Sequence, residues 1–482
     1  MTNQPAKTAR SQIAFIVALF LVFAYVSVQY SLKVLTPRPD GNTRSAILRW
    51  SQQIQDMEGG ENIHEKYNYP NPPIMPQMLW PLSELATASP LAGALTWFYL
   101  KGCMALACLF WVFRIVETPE RPFSIWAKGL AVTLSLRPIL GDLSHGNINI
   151  FILFLVTACL FAFVRGRDML AGILLALAIA CKVTPALFIV YFAWNRSTRV
   201  LLGTAVGLVL FFLLVPAAVF AVQDGSILSG WDRNWSALTS WVNGMIVPYL
   251  VHGVVTPERE NQSLPGLLTR LLTHQPSFSA FVDGIYTPLA FHNVADLGAS
   301  TVKRIVQGSQ VLFLLTMVVL CRSRLRPEGN PRRGWRPAAE YSFILVGMLL
   351  FSERTWKHHC VTLLLPFAVL CYGFTAVELS RGRRWLVGGS IAAAALLMLS
   401  TITGVLGDDN KRVADSHAGV TVLVGPTAYV GAIESGATAR LGLVPDSPGK
   451  MAQVYGAYTW AFLVLIVGLC ALMSRREAAS QR

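Results

Sequence analysis

The chain has 482 residues, of which 54% are hydrophobic and 14% are charged, and its mean hydropathy is +0.49. A soluble globular domain carries roughly 25% charged residues, so this composition excludes a soluble protein and indicates an integral membrane protein. Lys and Arg outnumber Asp and Glu by 40 to 26, a formal net charge of +14. The basic residues lie in short gaps between apolar segments, where they orient helices and meet acidic lipid headgroups. Binding to nucleic acid is therefore not expected.

The eight cysteines lie in or at the ends of apolar segments, and none belongs to a Cys-x-x-Cys pair. A disulfide framework and a zinc site both need paired or regularly spaced thiols. A lone cysteine in an apolar helix acts as a small hydrophobic residue. The sequence predicts neither a metal nor a cofactor.

About twelve apolar spans, counting one hairpin as two, predict an all-α polytopic membrane protein. The first, residues 13–34, is followed by no small-residue cleavage site, so we interpret it as a retained anchor rather than a signal peptide. No internal repeat or glycine-rich linker divides the chain, and residues 1–482 are expected to form one helical bundle. The later segments cover residues 91–116, 124–140, 148–164, 169–194, 200–222, 305–321, 341–351, 361–377, 385–406 and 455–472.

The gaps between these segments alternate between basic gaps and gaps that hold Asp, His, Asn or Trp. Because Lys and Arg mark the cytoplasmic side of short loops, the basic gaps predict that both termini are cytoplasmic. Residues 169–194 lie between two basic gaps and must cross an even number of times, which predicts a hairpin of two short, broken helices. The outward face then receives three polar stretches: residues 35–90 with an amphipathic segment, 223–304 and 407–454.

The first outward stretch supplies a candidate base. Asp40 lies in the sequence Arg38-Pro39-Asp40-Gly41, directly after the first span. A carboxylate at the membrane edge can accept a proton from a sugar or lipid hydroxyl, whereas the alternative is an Asp that only forms a turn beside Pro and Gly. Tyr69 follows in an aromatic and proline-rich segment before residues 74–85, which are typical of an interfacial helix.

Two polar groups are predicted near the outer ends of spans. Asp142, Asn147 and Asn149 cannot face lipid, so they cap helices or line a wet cavity. Lys182 follows Met169 by 13 residues, about 20 Å along a helix, which places it deep in a core of about 30 Å. A lysine there costs about 2.5–3.5 kcal/mol, so it needs a partner or a function. We interpret it as a cation that holds a phosphate, with snorkelling to the outer interface as the alternative.

Two further outward motifs are candidates for substrate contact. One contains Asn261, Gln262 and Arg270 in the large loop, and the other places His358 and His359 among Arg, Lys and Trp residues. Adjacent histidines on a helix point in different directions and no third ligand is spaced nearby, which argues against a metal site. Contact with phosphate or sugar is the favoured interpretation.

Together these motifs resemble glycosyltransferase family 87, formerly DUF2029, whose members have the GT-C fold and use polyprenyl-phosphate sugars. The resemblance extends over residues 35–380, and its most specific part is Lys182-Val183-Thr184-Pro185 with the glycine upstream. It includes the turn at Asn147 and Asn149, where the family usually has Gln at the place of Asn147. The other similar segments are residues 165–172, 261–264 and 352–366.

The resemblance implies a membrane glycosyltransferase that moves a sugar from a polyprenyl-phosphate donor to a lipid-linked or glycan acceptor with inversion. The family favours mannose as that sugar. Asp40 is the implied general base, with Asp56 and Asp142 as alternatives on the same predicted face. Lys182, His358 and His359 are implied to stabilise the departing phosphate. The other implied substrate-binding residues are Asn147, Asn149, Asn261, Gln262, Arg270 and Tyr69.

The expected partners are the donor, the acceptor and membrane lipids, and the expected location is the bacterial inner membrane with the site facing the periplasm. Two alternative functions stay open. A secondary transporter needs internal symmetry and several ionisable residues at mid-membrane, of which the sequence offers Lys182. A lipid-linked glycan ligase or polymerase shares many of the same motifs.

Overall fold

The computed structural model describes residues 4–36, 45–118, 120–282, 285–322, 332–402 and 448–474. Asp40 and most of the predicted outer stretch 407–454 lie outside these residues. The described helices and strands are α1 (Gln4–Leu35), α2 (Ala46–Glu58), α3 (Ile63–Tyr67), α4 (Ile74–Ala88), α5 (Pro90–Val116), α6 (Ile125–His145), α7 (Asn149–Val164), α8 (Asp168–Cys181), α9 (Leu187–Trp194), α10 (Thr198–Leu208), α11 (Val215–Asp224), α12 (Ile227–Trp241), α13 (Val247–Leu250), α14 (Leu264–Leu272), β1 (Phe278–Val282), β2 (Ile285–Ala290), α15 (Ala299–Leu320), α16 (Trp335–Leu350), α17 (Leu364–Ala376), α18 (Arg381–Leu399), α19 (Pro448–Val454) and α20 (Ala457–Met473).

The predicted all-α membrane architecture is confirmed, with one antiparallel pair, β1 and β2, in the part of the chain that the structure describes. The predicted count of about twelve spans is not confirmed. Five described helices are long and apolar enough to cross a membrane, and a sixth span results if α19 and α20, which meet at 62°, form one broken span. The five are Ile13–Leu35, Pro90–Val116, Thr198–Asp224, Ala299–Leu320 and Lys357–Ala376. Other apolar helices in the described residues are shorter, at 10–17 residues: Asn149–Val164, Asp168–Cys181 and Thr184–Trp194.

The predicted hairpin is present as α8 and α9. Helix α10 packs along α8 in the same direction, because Gly203 lies against Met169 and Gly207 lies against Ile173. Two parallel helices need a return segment between them, and α9 supplies it. The ring of Phe192 near the end of α9 lies 5.0 Å from that of Phe163 at the end of α7. The hairpin therefore begins and ends at one end of the bundle.

Basic gaps meet at this same end. Arg332 donates to Asp168 at 2.6 Å, which ties the gap before α16 to the start of α8. Trp194 Nε1 donates to the carbonyl of Cys321 at 3.0 Å, which ties the end of α9 to the end of α15. The predicted grouping of these gaps at one end is thus found in the described residues, and the polar motifs lie at the other end.

The helix Lys357–Ala376, which includes α17, forms the centre of the bundle. In its most apolar stretch 78% of the residues are buried, against 11% for the first helix, Ile13–Leu35. Apolar side chains of α16 surround it, including Phe343 and Leu345, which are 0% and 1% exposed. A buried central helix gives the polar residues at its outer end a fixed backbone.

The close approach of α8 and α10 gives a stability prediction. A Cβ at Gly203 would lie 2.4 Å from the carbonyl oxygen of Met169, whereas a Cβ at Gly308 in α15 meets nothing within 4 Å. Overpacking of this kind costs about 1–3 kcal/mol, so Gly203→Ala should lower the thermal unfolding midpoint in detergent. Gly308→Ala is the matched control and should leave the midpoint unchanged or raise it, because Ala favours helix. Equal midpoints for both variants would contradict the packing of α8 on α10.

Candidate active site

The turn between α6 and α7 positions the first part of the site. Gly146 ends α6 with φ of 72°, a left-handed conformation that glycine adopts without strain. A Cβ at Gly146 would lie 2.5 Å from Ser45 Oγ, so the position is closed to larger residues. Trp97 Nε1 donates to the Gly146 carbonyl at 2.7 Å. The turn is therefore fixed by both conformation and contact.

A buried ion pair lies directly beneath this turn. The side chains of Lys101 and Asp142 are both 0% exposed, and Lys101 Nζ lies 3.3 Å from Asp142 Oδ2. Lys101 also donates to the carbonyls of Asp142 at 2.6 Å and Asn147 at 3.0 Å. Lys101 is not among the candidates predicted from the sequence, although a charge in the middle of an apolar helix is a signal of function.

Asp142 and Lys182 are joined by one amide. Asn149 Nδ2 donates to Asp142 Oδ1 at 2.9 Å, and Lys182 Nζ donates to Asn149 Oδ1 at 2.7 Å. Lys182 lies at the break between α8 and the 3-10 turn Thr184–Ala186. The buried-lysine argument predicts a partner for Lys182, and Asn149 is that partner.

His358 faces a wide cavity of about 450 Å³. Its Nε2 lies 2.8 Å from the amide nitrogen of Asn147, which donates to it, and its ring lies 5.1 Å from that of His145. The indole nitrogen of Trp356, which also lines this cavity, is buried and makes no hydrogen bond with the described residues. The structure therefore brings together Asn147 and His358, two candidates for substrate contact from separate motifs.

His359 faces a separate small cavity of about 20 Å³, which Lys182, Thr184 and Arg354 also line. His359 Nδ1 lies 3.2 Å from the backbone nitrogen of Trp356 and 3.2 Å from the carbonyl oxygen of Arg354. These contacts hold the ring against the backbone. The small cavity thus combines two cations with a histidine ring.

The wide cavity carries an excess of positive charge. Lys33, Arg49 and Lys357 line it, and Glu260 is the carboxylate that the described lining contains. Glu260 pairs with Arg259 at 2.5 Å. Three cations against one already paired carboxylate favour an anionic occupant. Lys357 belongs to the predicted motif of His358 and His359, whereas Lys33, Arg49 and Glu260 were not candidates, because they come from three other segments.

Asn261, Gln262 and Arg270 lie in a buried network next to these cavities, and all three are 0% exposed. Arg270 donates five hydrogen bonds to backbone carbonyls, among them those of Val454 at 2.8 Å and Glu258 at 2.8 Å. The amides of Asn261 and Gln262 likewise bond to the backbone. Their predicted contact with substrate stays a prediction, and these partners indicate that they hold the large loop in place.

Tyr69 and the alternative bases, Asp56 and Asp142, line neither cavity. Tyr69 is 1% exposed, and its carbonyl accepts from His64 at 3.1 Å. Asp56 bonds to Lys66 at 2.8 Å and also accepts from Tyr67 and Gln52. The Lys66 hydrogen bond, with smaller contributions from Tyr67 and Gln52, lowers the pKa of Asp56 to about 2, which makes it a weak base. Asp142 is enclosed by its own partners, as described above.

A further cleft of about 510 Å³ lies between α2 and α12. It holds none of the predicted site residues. The two cavities around His358 and His359 are therefore the candidate active site.

Residues 69–352, more than half of the chain, match glycosyltransferase family 87. The chain belongs to glycosyltransferase family 87. The match includes the Asp142–Asn149 turn, Lys182 and the large loop, and it ends just before the His358–His359 pair. The resemblance that the motifs predicted is thus confirmed.

Two curated relatives are similar to the chain, and both are polyprenol-phosphate-mannose-dependent alpha-(1-2)-phosphatidylinositol mannoside mannosyltransferases. The protein of Mycolicibacterium smegmatis (strain ATCC 700084 / mc(2)155) is 28% identical over 271 residues, 56% of this chain and 50% of the relative. That of Mycobacterium tuberculosis (strain ATCC 25618 / H37Rv) is 35% identical over 270 residues, 53% of this chain and 49% of the relative. The similarity thus spans about half the length of each relative.

Variants of Arg270 can distinguish a structural role of its network from a role in substrate binding. Removing its guanidinium leaves buried carbonyls without donors, at about 1–3 kcal/mol for each unsatisfied group. We expect Arg270→Met to lower the thermal unfolding midpoint strongly, and Arg270→Lys to recover little, because an ammonium lacks the planar fork. Arg304 is exposed on α15, so Arg304→Met is the control. We expect it to leave the unfolding midpoint unchanged. A stable Arg270→Met variant with weakened donor binding would instead support substrate contact.

Proposed function

We propose that the chain transfers mannose from a polyprenyl-phosphate donor to a lipid-linked acceptor, with inversion, at the outer face of the bacterial inner membrane. The observation that carries this proposal is the position of Lys182 at the tip of the α8–α9 hairpin. There its ammonium lines a cavity with Arg354 and His359, an arrangement suited to a phosphate. The donor sugar and the lipid-linked kind of acceptor are supported by the names of the two mycobacterial relatives.

The small cavity is the proposed site of the donor phosphate, and at about 20 Å³ it must widen to admit one, since this volume holds about one water molecule. Its cations Lys182 and Arg354 lie beside the apolar side chains of Ile152, Met348 and Leu349. A polyprenyl-phosphate has the same division into an anionic head and a hydrocarbon tail. The head would contact Lys182 and His359 while the tail remains against apolar surface.

The wide cavity is the proposed site of the acceptor. Its excess of positive charge suits a phosphate-bearing lipid, and the acceptor of the mycobacterial relatives is a phosphatidylinositol mannoside. Trp356 lines this cavity and offers an aromatic surface to a sugar. Asn147 and His358 line the same cavity and are proposed to contact the sugar hydroxyls.

Asp40 is the proposed general base. Lys33 before it and Ser45 after it both line the wide cavity, so both ends of the segment that contains Asp40 lie at the proposed acceptor site. Tyr30 and Ser45 share a hydrogen bond of 2.8 Å, which ties α1 to the start of α2. The positions of Lys33 and Ser45 at the cavity support Asp40 as the base. The carboxylates of Asp56 and Asp142 are occupied by other partners.

The proposed reaction is a single displacement. The acceptor hydroxyl oxygen forms a bond to the anomeric carbon while the bond from that carbon to the phosphate oxygen breaks, which inverts the configuration. Asp40 takes the hydroxyl proton. The leaving phosphate gains negative charge, and Lys182, Arg354 and His359 stabilise it as that charge develops.

Asp40→Asn tests the base. The amide keeps the size of the side chain but cannot take the proton, and general-base catalysis is worth about 10²- to 10⁴-fold. We expect kcat for mannosyl transfer from polyprenyl-phosphate mannose to fall by that factor, with the donor KM unchanged because the phosphate contacts lie elsewhere. Asp56→Asn is the matched control and should remain within a few-fold of wild type. Near-normal turnover by Asp40→Asn, together with an inactive Asp56→Asn or Glu260→Gln variant, would assign the base to the other carboxylate.

The proposed orientation has its own test. Thr239 is exposed on α12, and Asn330 lies in the basic gap before α16. In a background without the eight native cysteines, a membrane-impermeant maleimide should label Thr239→Cys in intact cells and should label Asn330→Cys only after permeabilisation, because basic loops stay cytoplasmic. The reverse labelling pattern would place the active site on the cytoplasmic side.

A further inference from the structure

We infer that Asn149 is a neutral spacer that orients Lys182 without cancelling its charge. Its Nδ2 donates to Asp142 and its Oδ1 accepts from Lys182, at 2.9 and 2.7 Å. The inference deepens the proposed function, since it rests on Lys182 as the cation that binds the donor phosphate. Asn149 and the Lys101–Asp142 pair behind it are positioning residues in this scheme.

The two partners of Asn149 fix which way its amide points. A carboxylate accepts hydrogen bonds and an ammonium donates them, so the amide nitrogen must face Asp142 and the oxygen must face Lys182. Asn149 is 5% exposed and Asp142 is 0% exposed, which leaves little water to compete with either contact. The position of the Lys182 ammonium is thus tied to that of a buried carboxylate.

The carboxylate of Asp142 does not pair with Lys182 directly, because Asn149 lies between them. Asp142 is paired with Lys101 at 3.3 Å and also accepts from the backbone N–H of Ile150 at 3.2 Å. Lys101, Asp142 and Lys182 together carry two positive charges and one negative charge. The surplus positive charge therefore lies on Lys182, at the small cavity that it lines.

A carboxylate in the place of the Asn149 amide would hold Lys182 more strongly. It would also neutralise the ammonium and repel the donor phosphate at short range. The neutral amide gives direction through its dipole and leaves the full charge for the anion. The observed order of ammonium, amide and carboxylate is the one that favours phosphate binding.

The decisive experiment exchanges the amide and the carboxylate. Asp142→Asn combined with Asn149→Asp keeps the same side-chain types and the same net charge, but it places the carboxylate against Lys182. The exchange also leaves Lys101 with an amide in place of its carboxylate partner, so folding of the full-length protein in nanodiscs is measured first. In folded protein we expect the KM for polyprenyl-phosphate mannose to rise about tenfold or more, the scale of a charge-assisted contact. The Lys182→Met variant gives the donor KM in the absence of the cation. A donor KM within about twofold of wild type would overturn the inference.

A second variant covers the case in which the exchange prevents folding. Asn149→Ala leaves Lys182 charged but removes the group that orients it, so kcat should fall by about tenfold or more while the donor KM changes less. Wild-type kcat in Asn149→Ala would overturn the inference. Thr157→Val is the control, because Thr157 is a buried polar residue two turns further along α7 whose hydroxyl donates to the carbonyl of Leu153 and lines neither cavity. It should match wild type in both constants.

The same assay separates this inference from the proposed function. If wild-type protein transfers no mannose from the polyprenyl-phosphate donor, the proposed function itself is wrong. If wild-type protein is active and the exchanged variant has wild-type constants, the proposed function stands and the spacer role of Asn149 is wrong.

Discussion

The ion pair between Lys101 and Asp142 is the interaction on which the outer end of this bundle depends. It joins α5 to α6, and through hydrogen bonds from Asn149 and the Ile150 N–H it also fixes the start of α7. Breaking a buried pair by removing one partner costs about 3–5 kcal/mol, because the other charge is left unpaired. The pair therefore links the stability of three helices to the geometry of the candidate active site.

The two adjacent histidines show how one segment serves two cavities. The 3-10 helix Lys357–Leu363 turns the chain so that His358 lines the wide cavity and His359 the small one. Their rings are nearly perpendicular, at 89°. In the proposed reaction, the histidine that contacts the acceptor and the histidine that contacts the leaving phosphate are therefore neighbours in the chain. The acceptor and the donor phosphate would then lie side by side at the outer end of the helix Lys357–Ala376.

Sequence patterns predicted the parts of this structure that follow from charge and hydropathy. The basic gaps predicted the hairpin of α8 and α9, and the cost of burying Lys182 predicted a partner for it. The count of spans could not be predicted from apolar length, because a broken helix such as α9 is shorter than a membrane is thick. The partners of Arg270 are backbone carbonyls, two of them far along the chain at Gln453 and Val454, and carbonyls leave no mark on side-chain patterns. Lys101 could have been predicted, because it is a charged residue within an apolar segment. The convergence of Arg49, Glu260 and Lys357 depends on tertiary structure alone.

The shortness of α9 has a consequence for how the protein is assembled. Eight residues extend about 12 Å as a helix, well under a hydrocarbon core of about 30 Å, so α9 cannot insert into lipid as an independent unit. Its backbone at the Lys182 break must find protein neighbours before it leaves water or the insertion machinery. The cation of the proposed donor site therefore reaches its final depth late in biogenesis, after α10 has packed along α8 and α16 has arrived from more than a hundred residues further along the chain.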